Sequence, residues 1–518
     1  MTGSPAIPEP SPPPPSPVAG READGPQRPN PLLGLPFEPS IEGLGPDHWD
    51  VVEAAPFPMT RLRFRNNPLL RQLGIDPATV SDADLEAAYG RFEGRAPLLA
   101  LRYHGYQFGV YNPLLGDGRG FLYGQLRDRH GQLQDLGTKG SGITPWSRGG
   151  DGRLTLKGGV REVIASEALQ RLGVTTSRTL SLIETGEELW RGDEPSPTRS
   201  SVMVRMARTH LRFGTCERLL HLRRPAQLER LLRHVVAVHY PHLALAHPAD
   251  GPGGCEPQLL AFYGELVERV ARLAAEWMAA GFTHGVLNTD NMSLAGESFD
   301  YGPFAFLETW DPGFTAAYFD HSGLYAYGRQ PLVCQHNLRL LQEPLAMLLP
   351  RGPLAAALER FGAVYDAHYR RRMARRLGLD GVPISAGPGA ELPDPVPPTL
   401  RLLAAWPVAY GRFFAALAER IRLGGPPATA EDLEPFVAEA PAPPRAEWLV
   451  WRDAWWAWSH AVGAGPTLAA ALVRWNLPEP PIRPLIEGLW TAIDERDDWT
   501  PLHNWLALTL APEAAAGV

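Results

Sequence analysis

The distribution of hydrophobic residues changes part-way along the chain, and this change most limits the folds open to it. Between about residues 96 and 207, short runs rich in β-branched and aromatic side chains alternate with glycine-containing turns, which predicts an antiparallel sheet. From about residue 218, apolar residues recur at helical spacing, and the longest such stretch is QLLAFYGELVERVARLAAEWMAAGF. The chain is therefore predicted to be α+β, with most strands preceding most helices.

One helix interrupts the predicted strands. In GVREVIASEALQRL, residues 159–172, apolar side chains fall three and four positions apart, which places them on one helical face. Further strands are predicted in SRTLSLIET, EELWRG and SSVMVRMA. Beyond about residue 329 the pattern indicates mostly helices separated by proline-rich linkers, with no fixed-period repeat.

These patterns divide the chain into four predicted parts. Residues 1–30 are rich in proline and poor in large apolar side chains, so we expect a disordered tail. The remaining parts are a strand-rich lobe over 31–217, a helical lobe over 218–328 and a helical extension over 329–518. Residues 31–95 contain proline-broken segments, which we interpret as irregular chain packed against the strand-rich lobe.

Composition sets limits on partners and location. The 518 residues carry a net charge of -8, which argues against general nucleic-acid affinity, so any anionic ligand needs a local basic cluster. No run approaches the roughly 18 apolar residues of a membrane helix, and no basic segment leads into an apolar one at the N-terminus. We therefore expect a cytoplasmic protein without membrane contact, and a monomer by default. Cys216, Cys255 and Cys334 are interpreted as ordinary thiols.

Asp290, Asn291 and Asp300 lie in the segment THGVLNTDNMSLAGESFDYGPFAF, between the longest predicted helix and an apolar, aromatic strand. Two carboxylates and an amide carbonyl in so short a span are hard oxygen ligands of the kind that Mg²⁺ uses beside phosphates. A carboxylate that is not engaged by a metal can instead accept a proton from an attacking hydroxyl. Each residue alone is equally typical of a turn, so the prediction depends on their arrangement after a long helix.

The chain strongly favours arginine, since Lys139 and Lys157 are the only lysines among 49 basic residues. Lys139 follows a predicted strand, and Glu162 lies in the first turns of the predicted helix. Kinase-type sites use a strand lysine, steadied by a helix glutamate, to hold nucleotide phosphates. The alternative for Lys139 is a solvated surface charge. Lys157 is assigned no role.

Arginines and glycines elsewhere add to this pattern. The run VRMARTHLRFG places Arg205 and Arg212 near the predicted site in chain order, and guanidinium groups bind phosphate oxygens through two hydrogen bonds at once. In a chain so rich in arginine, a structural role for both is an equal alternative. The glycine-rich turn 116–120 lies between strands, where kinases cover the phosphates, but it lacks the full Gly-x-Gly-x-x-Gly pattern. A second such turn, 149–153, is most simply interpreted as a flexible connector.

Seven segments together resemble the selenoprotein O family of kinase-like protein adenylyltransferases, and the resemblance extends over most of the chain from about residue 35. They are GDGRG, LGTKGSGITPWSRGGDGR, REVIASEAL, VRMARTHLRFGT, HYPHL, THGVLNTDNMS and DYGPFAF. The resemblance implies a bilobed, protein-kinase-like fold in which the nucleotide lies flipped, with its α-phosphate facing the acceptor. It further implies transfer of AMP from ATP, or UMP from UTP, to Ser, Thr or Tyr hydroxyls of proteins, with release of pyrophosphate.

The resemblance also implies roles for individual residues. Lys139 would contact phosphate and pair with Glu162, and Asp290 would be the general base. The ligands of Mg²⁺ or Mn²⁺ would be Asn291 and Asp300. The residues expected to bind the nucleotide are Gly116, Gly118, Arg119, Lys139, Asp151, Gly152, Arg205, Arg212 and Asp300.

Two other functions remain compatible with these residues. The same lysine, aspartates and metal would serve a phosphotransferase that moves the γ-phosphate to a protein or small molecule. Because the usual kinase His-Arg-Asp pattern is missing from the sequence, a catalytically silent pseudokinase scaffold that only binds nucleotide is the third possibility.

Overall fold

The computed structural model shows an α+β protein built around one antiparallel sheet. The residues it describes are 28–192, 194–247, 254–380, 392–437, 440–462 and 466–515. Most of the predicted proline-rich tail, residues 1–27, lies outside them. Arg28 and Asn30 are described, and their side chains donate hydrogen bonds to Asp84.

The main sheet has eight strands in the order β1-β3-β6-β7-β10-β9-β2, with β8 pairing additionally with β10. Two-stranded pairs β4–β5 and β11–β12 lie apart from it. The strands are β1 Trp49–Val52, β2 Arg61–Arg65, β3 Leu98–Leu101, β4 Gly105–Gln107, β5 Val110–Asn112, β6 Leu122–Arg127, β7 Leu133–Lys139, β8 Leu154–Thr155, β9 Arg178–Leu189, β10 Thr198–Ala207, β11 Phe282–Thr283 and β12 Ala305–Phe306.

The sheet differs from the sequence prediction at its edges and in one strand. The proline-broken region before residue 96 supplies both edge strands, β1 and β2, where we predicted irregular chain. These strands are short and flanked by prolines, so their local pattern is weak, and pairing with β3 and β9 decides their conformation. The two strands predicted in SRTLSLIET and EELWRG form the single strand β9.

The described ranges contain sixteen α-helices. They are α1 Asn67–Gln72, α2 Asp82–Leu85, α3 Leu156–Arg171, α4 Phe213–His221, α5 Pro225–His239, α6 Pro241–Ala246, α7 Glu256–Ala280, α8 Gln330–Leu345, α9 Arg351–Glu359, α10 Phe361–Arg376, α11 Val396–Ala405, α12 Tyr410–Gly424, α13 Arg445–Val462, α14 Pro466–Trp475, α15 Arg483–Arg496 and α16 Thr500–Ala515. In this part of the chain, no helix is long and apolar enough to cross a membrane.

Helix α3 lies against the sheet and begins a little earlier than predicted. The Thr155 hydroxyl accepts a hydrogen bond from the Gly158 amide, which caps the first turn. Val160, Val163 and Ile164 are buried on the face that the spacing predicted. The side of α3 that carries Glu162 is therefore fixed relative to the strands.

Helix α7 positions the polar loop that follows it. The helix ends at Gly281, whose φ of 69° is the left-handed conformation that closes a helix C-terminus at least cost in glycine. Strands β11 and β12 then pair antiparallel and hold the two ends of the loop 284–304 together. Asp290, Asn291 and Asp300 all lie in this loop, and a short 3₁₀ turn covers Thr289–Asn291.

The C-terminal helices pack back onto α3 and the sheet. Ile486, Trp490 and Trp505 belong to the same hydrophobic core as the apolar face of α3. A second core, rich in tryptophan, forms among α10 to α14. The core on the opposite face of the sheet is built from residues of β6, β7, β9 and β10 together with the segment 69–92.

Candidate active site

One cavity of about 750 Å³ collects nearly all the residues that the sequence singled out. Its wall combines the strand ends of the main sheet, the two glycine-rich turns and the loop after β11. The predicted site residues that line it are Gly116, Gly118, Arg119, Lys139, Asp151, Gly152, Arg205, Arg212, Asp290, Asn291 and Asp300. Glu162 is the exception, because it lies behind Lys139 and does not reach the cavity surface.

Lys139 joins three elements at the last residue of β7. Its ammonium donates to Glu162 of α3 and, at 2.6 Å, to Oδ1 of Asp300. Both Lys139 and Glu162 are buried, so each charge depends on the other for compensation. The surface-charge alternative for Lys139 does not fit this burial, and Lys157, by contrast, forms an ion pair with Glu487 near the surface.

Arg205 is oriented by a buried histidine. Its Nε donates to Nε2 of His210 at 3.1 Å, so that ring nitrogen accepts and the proton lies on Nδ1, which faces Asp135 at 3.3 Å. Burial lowers the pKa of His210, which favours this neutral tautomer. The other end of Arg205 lies 3.4 Å from Oδ1 of Asp300. His210 thus fixes the guanidinium that faces the cavity.

Arg212 is clamped between two aromatic rings. Its guanidinium lies 4.1 Å from the centre of the Tyr103 ring and 4.8 Å from that of Phe299. It donates to the main-chain oxygen of Asp290 at 3.0 Å and lies 3.4 Å from Oδ1 of Asp117. The cation therefore has a fixed orientation directly beside the loop that carries Asp290.

The glycine-rich turns form a part of the wall that admits no side chain. A Cβ on Gly116 would lie 2.3 Å from the Trp146 ring, and one on Gly152 would lie 2.1 Å from the Gly142 carbonyl oxygen. Gly152 also has a φ of 69°, which L-residues adopt only with strain. The second turn, which sequence alone also allowed as a simple connector, thus closes one side of the cavity.

Two arginines of the cavity wall lack carboxylate partners. Within the described ranges, Arg119 and Arg148 form no ion pair, whereas Arg153 pairs with Glu187 and Arg191 with Asp151. Arg148 is exposed, has a φ of 51° and lines the cavity, so its guanidinium is available to a ligand bound there. Arg148 is not among the site residues predicted from the sequence.

The two aspartates of the loop occupy different electrostatic environments. Burial raises the pKa of Asp290 to about 6, against the opposing effect of Arg212. Burial acts in the same direction on Asp300, but Lys139 and Arg205 outweigh it and hold the pKa of that carboxyl well below its ordinary value. Asp300 is thus fully ionised at neutral pH, whereas the pKa of Asp290 lies only slightly below neutral pH.

Asp290 has a carboxylate oxygen that no other group satisfies. Oδ1 is buried and accepts no hydrogen bond from the described chain. The β4–β5 hairpin holds the loop around it, since the Tyr106 amide donates to the Thr289 hydroxyl at 2.7 Å and the Phe108 amide donates to Asn288 at 3.2 Å. A fixed carboxylate with a free oxygen is the arrangement that a proton acceptor requires.

Asn291 and Asp300 offer oxygen ligands to the cavity. The Asn291 amide nitrogen donates to the Val286 carbonyl at 2.9 Å, which leaves Oδ1 for another partner. Oxygen donors of this type suit Mg²⁺ or Mn²⁺, which complete their coordination with water and phosphate oxygens. No group of three or more His, Cys, Asp and Glu side chains suited to a metal occurs in the described part of the chain. Water or the oxygens of a bound nucleotide would therefore have to complete the coordination of any cation held by these two residues.

Known proteins resemble this chain over nearly its whole length. The family profile described as "Protein adenylyltransferase SelO" matches residues 31–509. A protein of Synechococcus elongatus named protein nucleotidyltransferase YdiU is 55% identical over 484 residues, 92% of this chain and 95% of its own. A protein of the same name from Gloeobacter violaceus is 53% identical over 96% of this chain and 99% of its own. A third protein of this name, from Synechocystis, is 50% identical over 92% of this chain and 98% of its own.

The chain belongs to the protein adenylyltransferase SelO family. The family predicted from the seven sequence segments is confirmed, and with it the assignment of the chain as an enzyme of the nucleotidyltransferase class.

Some residues of this SelO-family cavity that were not predicted from the sequence orient the predicted ones. His210 and Asp135 orient Arg205, and Tyr103 stacks on Arg212. His210 lies inside the quoted segment VRMARTHLRFGT, so motif membership was the available signal. Asp135 and Tyr103 carry no local signal, because their contacts join residues far apart in sequence.

Proposed function

We propose that this protein transfers AMP from ATP, or UMP from UTP, to Ser, Thr or Tyr hydroxyls of other proteins. The acceptor oxygen forms a bond to the α-phosphorus, and the bond from that phosphorus to the bridging oxygen breaks. The electron pair of the broken bond leaves with pyrophosphate. Asp290 takes the hydroxyl proton on its free Oδ1.

The observation that carries the proposal is the division of charge within one cavity. Cationic groups line the cavity, and they include Arg119, Lys139, Arg148, Arg205 and Arg212. Asp290, with its unsatisfied oxygen, lines the same cavity. A volume of about 750 Å³ falls in the range of sites that enclose a small organic ligand. The arrangement suits a polyphosphate held beside a proton acceptor.

The cations favour a nucleotide oriented for transfer at the α-phosphorus. The pyrophosphate that leaves in α-transfer has a greater total negative charge than the ADP that leaves in γ-transfer, and fixed guanidinium and ammonium groups stabilise such charge without reorganising. Arg205 and Arg212 are fixed by His210 and by the aromatic clamp, while Arg119 and Arg148 are free to pair with phosphate. We therefore propose that the α-phosphate faces Asp290.

The proposed cleft is organised like that of a protein kinase. Lys139 at the end of a strand pairs with Glu162 of a helix and with Asp300, which follows Asp290 in the same loop. Protein kinases use a lysine, a glutamate and an aspartate in corresponding places. On this interpretation, residues 31–217 form the nucleotide-binding lobe, 218–328 the lobe with the catalytic loop, and 329–518 an extension packed on both.

A divalent cation, Mg²⁺ or Mn²⁺, is part of the proposal. Asn291 and Asp300 would hold it together with phosphate oxygens, and when bound it would neutralise charge on those oxygens. Lys139 and Arg205 then keep Asp300 ionised and aligned, since both lie within 3.4 Å of its Oδ1.

Parallel incubations with α-labelled and γ-labelled ATP, each with Mg²⁺ or Mn²⁺, test the proposal. We expect protein-bound label from the α position only, with equimolar pyrophosphate in solution. Label from the γ position alone would show a kinase and overturn the proposal. Binding of ATP without transfer from either position would favour the silent scaffold. Repeating the α-labelled reaction with UTP decides which nucleotide is preferred.

A further inference from the structure

A second cavity, of about 330 Å³, adjoins the loop that carries Asp290. It lies between α4, α8 and the β4–β5 hairpin, and its polar lining consists of Tyr106, Tyr111, Glu217, His221 and Glu343. The rest of its lining is leucine and proline. Among the described residues that line it there is no arginine or lysine, in contrast to the nucleotide cavity. We call it the acidic cavity.

Glu217 is the least satisfied group of the acidic cavity. Glu217 is 2% exposed, and its Oε2 accepts a hydrogen bond from the Thr289 hydroxyl at 2.7 Å. Oε1 is buried and has no partner in the described chain. A buried carboxyl oxygen without a donor is unfavourable, so a group that donates to it would be bound favourably. Burial raises the pKa of Glu217 to about 8, so the carboxyl is mostly protonated at neutral pH, and a cation bound beside it would favour the ionised form.

The remaining walls suit a flat or elongated cation. The rings of Tyr106 and Tyr111 lie 5.1 Å apart at 62°, and aromatic faces attract guanidinium and ammonium groups. Glu343 stands at the rim, where its side chain is 53% exposed and pairs with Arg351. The acidic cavity thus offers a buried carboxyl, two aromatic rings and an outer carboxylate, and Arg351 pairs with that outer carboxylate at the rim.

We propose that the acidic cavity binds an arginine or lysine side chain of the protein that accepts the nucleotide. The inference rests on the proposed function, because it concerns the acceptor of that reaction. The net charge of -8 favours basic partners, and guanidinium donors match the free oxygen of Glu217. Thr289 links the two cavities, since it contacts both Glu217 and the Tyr106 amide and immediately precedes Asp290. A basic side chain held here places a nearby hydroxyl of the same polypeptide at Asp290.

Synthetic peptides with one hydroxyl residue test this assignment. A single arginine is moved one position at a time on both sides of the hydroxyl, and each peptide has a twin in which citrulline replaces that arginine. Citrulline keeps the shape and removes the charge. With the full-length protein and α-labelled ATP, we expect kcat/KM for one arginine position to exceed that of its citrulline twin at least tenfold.

Three variants test whether a preference for the arginine peptide over its citrulline twin arises from the acidic cavity. Glu343→Gln at the exposed rim and Glu217→Gln inside are both expected to bring the arginine-to-citrulline ratio close to one while the KM for ATP stays unchanged. The matched control is Glu359→Gln, an exposed glutamate of α9 outside the cavity, which should keep the wild-type ratio. Equal rates for all twins with the wild-type protein, or a ratio that persists in both cavity variants, would overturn the proposal.

A binding measurement separates this inference from the proposed function. The same peptide pairs are titrated into the intact protein by isothermal calorimetry with a non-hydrolysable ATP analogue present. Tighter binding of the arginine peptide, lost in Glu343→Gln and kept in Glu359→Gln, supports the acidic cavity even if no nucleotide is transferred. Equal binding of both twins refutes it, even if transfer itself is observed.

Discussion

Asp290 and Asp300 lie in one cavity but differ in the charges that surround them. Asp300 faces Lys139 and Arg205, which hold its pKa well below the usual range despite burial, so it is a permanent anion suited to binding a metal. Burial raises the pKa of Asp290 to about 6, and its Oδ1 is free. Two carboxyl groups with separated pKa values suit separate roles, and in the function proposed above these are a metal ligand and a proton acceptor.

Replacing Asp290 by asparagine removes the proton acceptor and keeps the shape. We expect AMP transfer to fall about 10²–10⁴-fold while ATP binding changes little, because the polyphosphate contacts remain. In the wild-type enzyme, kcat/KM should rise with pH through about 6, since the ionised form is the active base. Transfer rates between pH 5 and 8 measure this. Asp494→Asn, an exposed residue of α15, is the control, and an undiminished rate in Asp290→Asn would remove the base from the mechanism.

Arg148 is the second residue-scale prediction. Because it lines the nucleotide cavity and has no carboxylate partner in the described ranges, its replacement by alanine leaves no buried charge unpaired. We expect transfer to fall about 10–100-fold, in keeping with the loss of one to two strong charge-assisted contacts to phosphate. Measurements of kcat and of the Kd for ATP show which state it stabilises. Arg371→Ala on α10 should leave both unchanged, and equal effects of the two substitutions would exclude a special role for Arg148.

At the scale of elements, local pattern predicted the parts and tertiary contacts decided their arrangement. Helical spacing of apolar residues predicted α3 and α7, whereas β-branched and aromatic runs between glycine-containing turns predicted the central strands, which are buried along nearly their whole length. It missed β1 and β2, which form only by pairing with β3 and β9. The same limit applies to the site: Lys139 and Asp290 lie in recognisable segments, whereas the contact of Asp135 with His210 spans 75 residues and leaves no local trace.

The first turn of α4 packs directly on the start of β4, and this contact supports both cavities. The His104 amide donates to the Gly214 carbonyl at 3.0 Å, and a Cβ on Gly214 would lie 2.0 Å from the His104 carbonyl oxygen. Helix α4 begins just after Arg212 and carries Glu217, so displacement of its first turn moves residues of both sites.

Gly214→Ala should therefore lower the free energy of unfolding and weaken ATP binding together. A clash of backbone with a new methyl group costs about 1–3 kcal/mol, and relief by moving α4 would shift Arg212. Urea denaturation and a titration with ATP measure the two effects. Gly488→Ala in α15 is the control, because nothing lies within 4 Å of its Cβ and alanine favours helix there. A fully stable Gly214→Ala would show that the packing is not tight.

At the scale of the whole molecule, the C-terminal helices are tied to the sheet by a network of charges. Arg63 of β2 and Arg199 of β10 both pair with Glu184 of β9, and both also reach Asp497 at the turn between α15 and α16. The Trp499 ring lies 4.9 Å from the Arg63 guanidinium. Because α15 and α16 also pack on α3, which carries Glu162, this network links these C-terminal helices to the element behind Lys139.

Glu184→Gln tests that link and its dependence on pH. Burial opposes ionisation of Glu184, but Arg199 and Arg63 outweigh it and lower its pKa. The stabilisation is therefore present above the unfolded pKa of roughly 4.3 and is lost as pH falls through the lower folded value. At pH 7 we expect a loss of about 1.5–3 kcal/mol in the free energy of unfolding, as for hydrogen bonds to charged groups. Urea denaturation of wild type and variant should show this gap narrowing below pH 4, whereas Glu188→Gln, an exposed neighbour in β9, should show none. A gap that stays constant with pH would mean that shape, not charge, joins the C-terminal helices to the sheet.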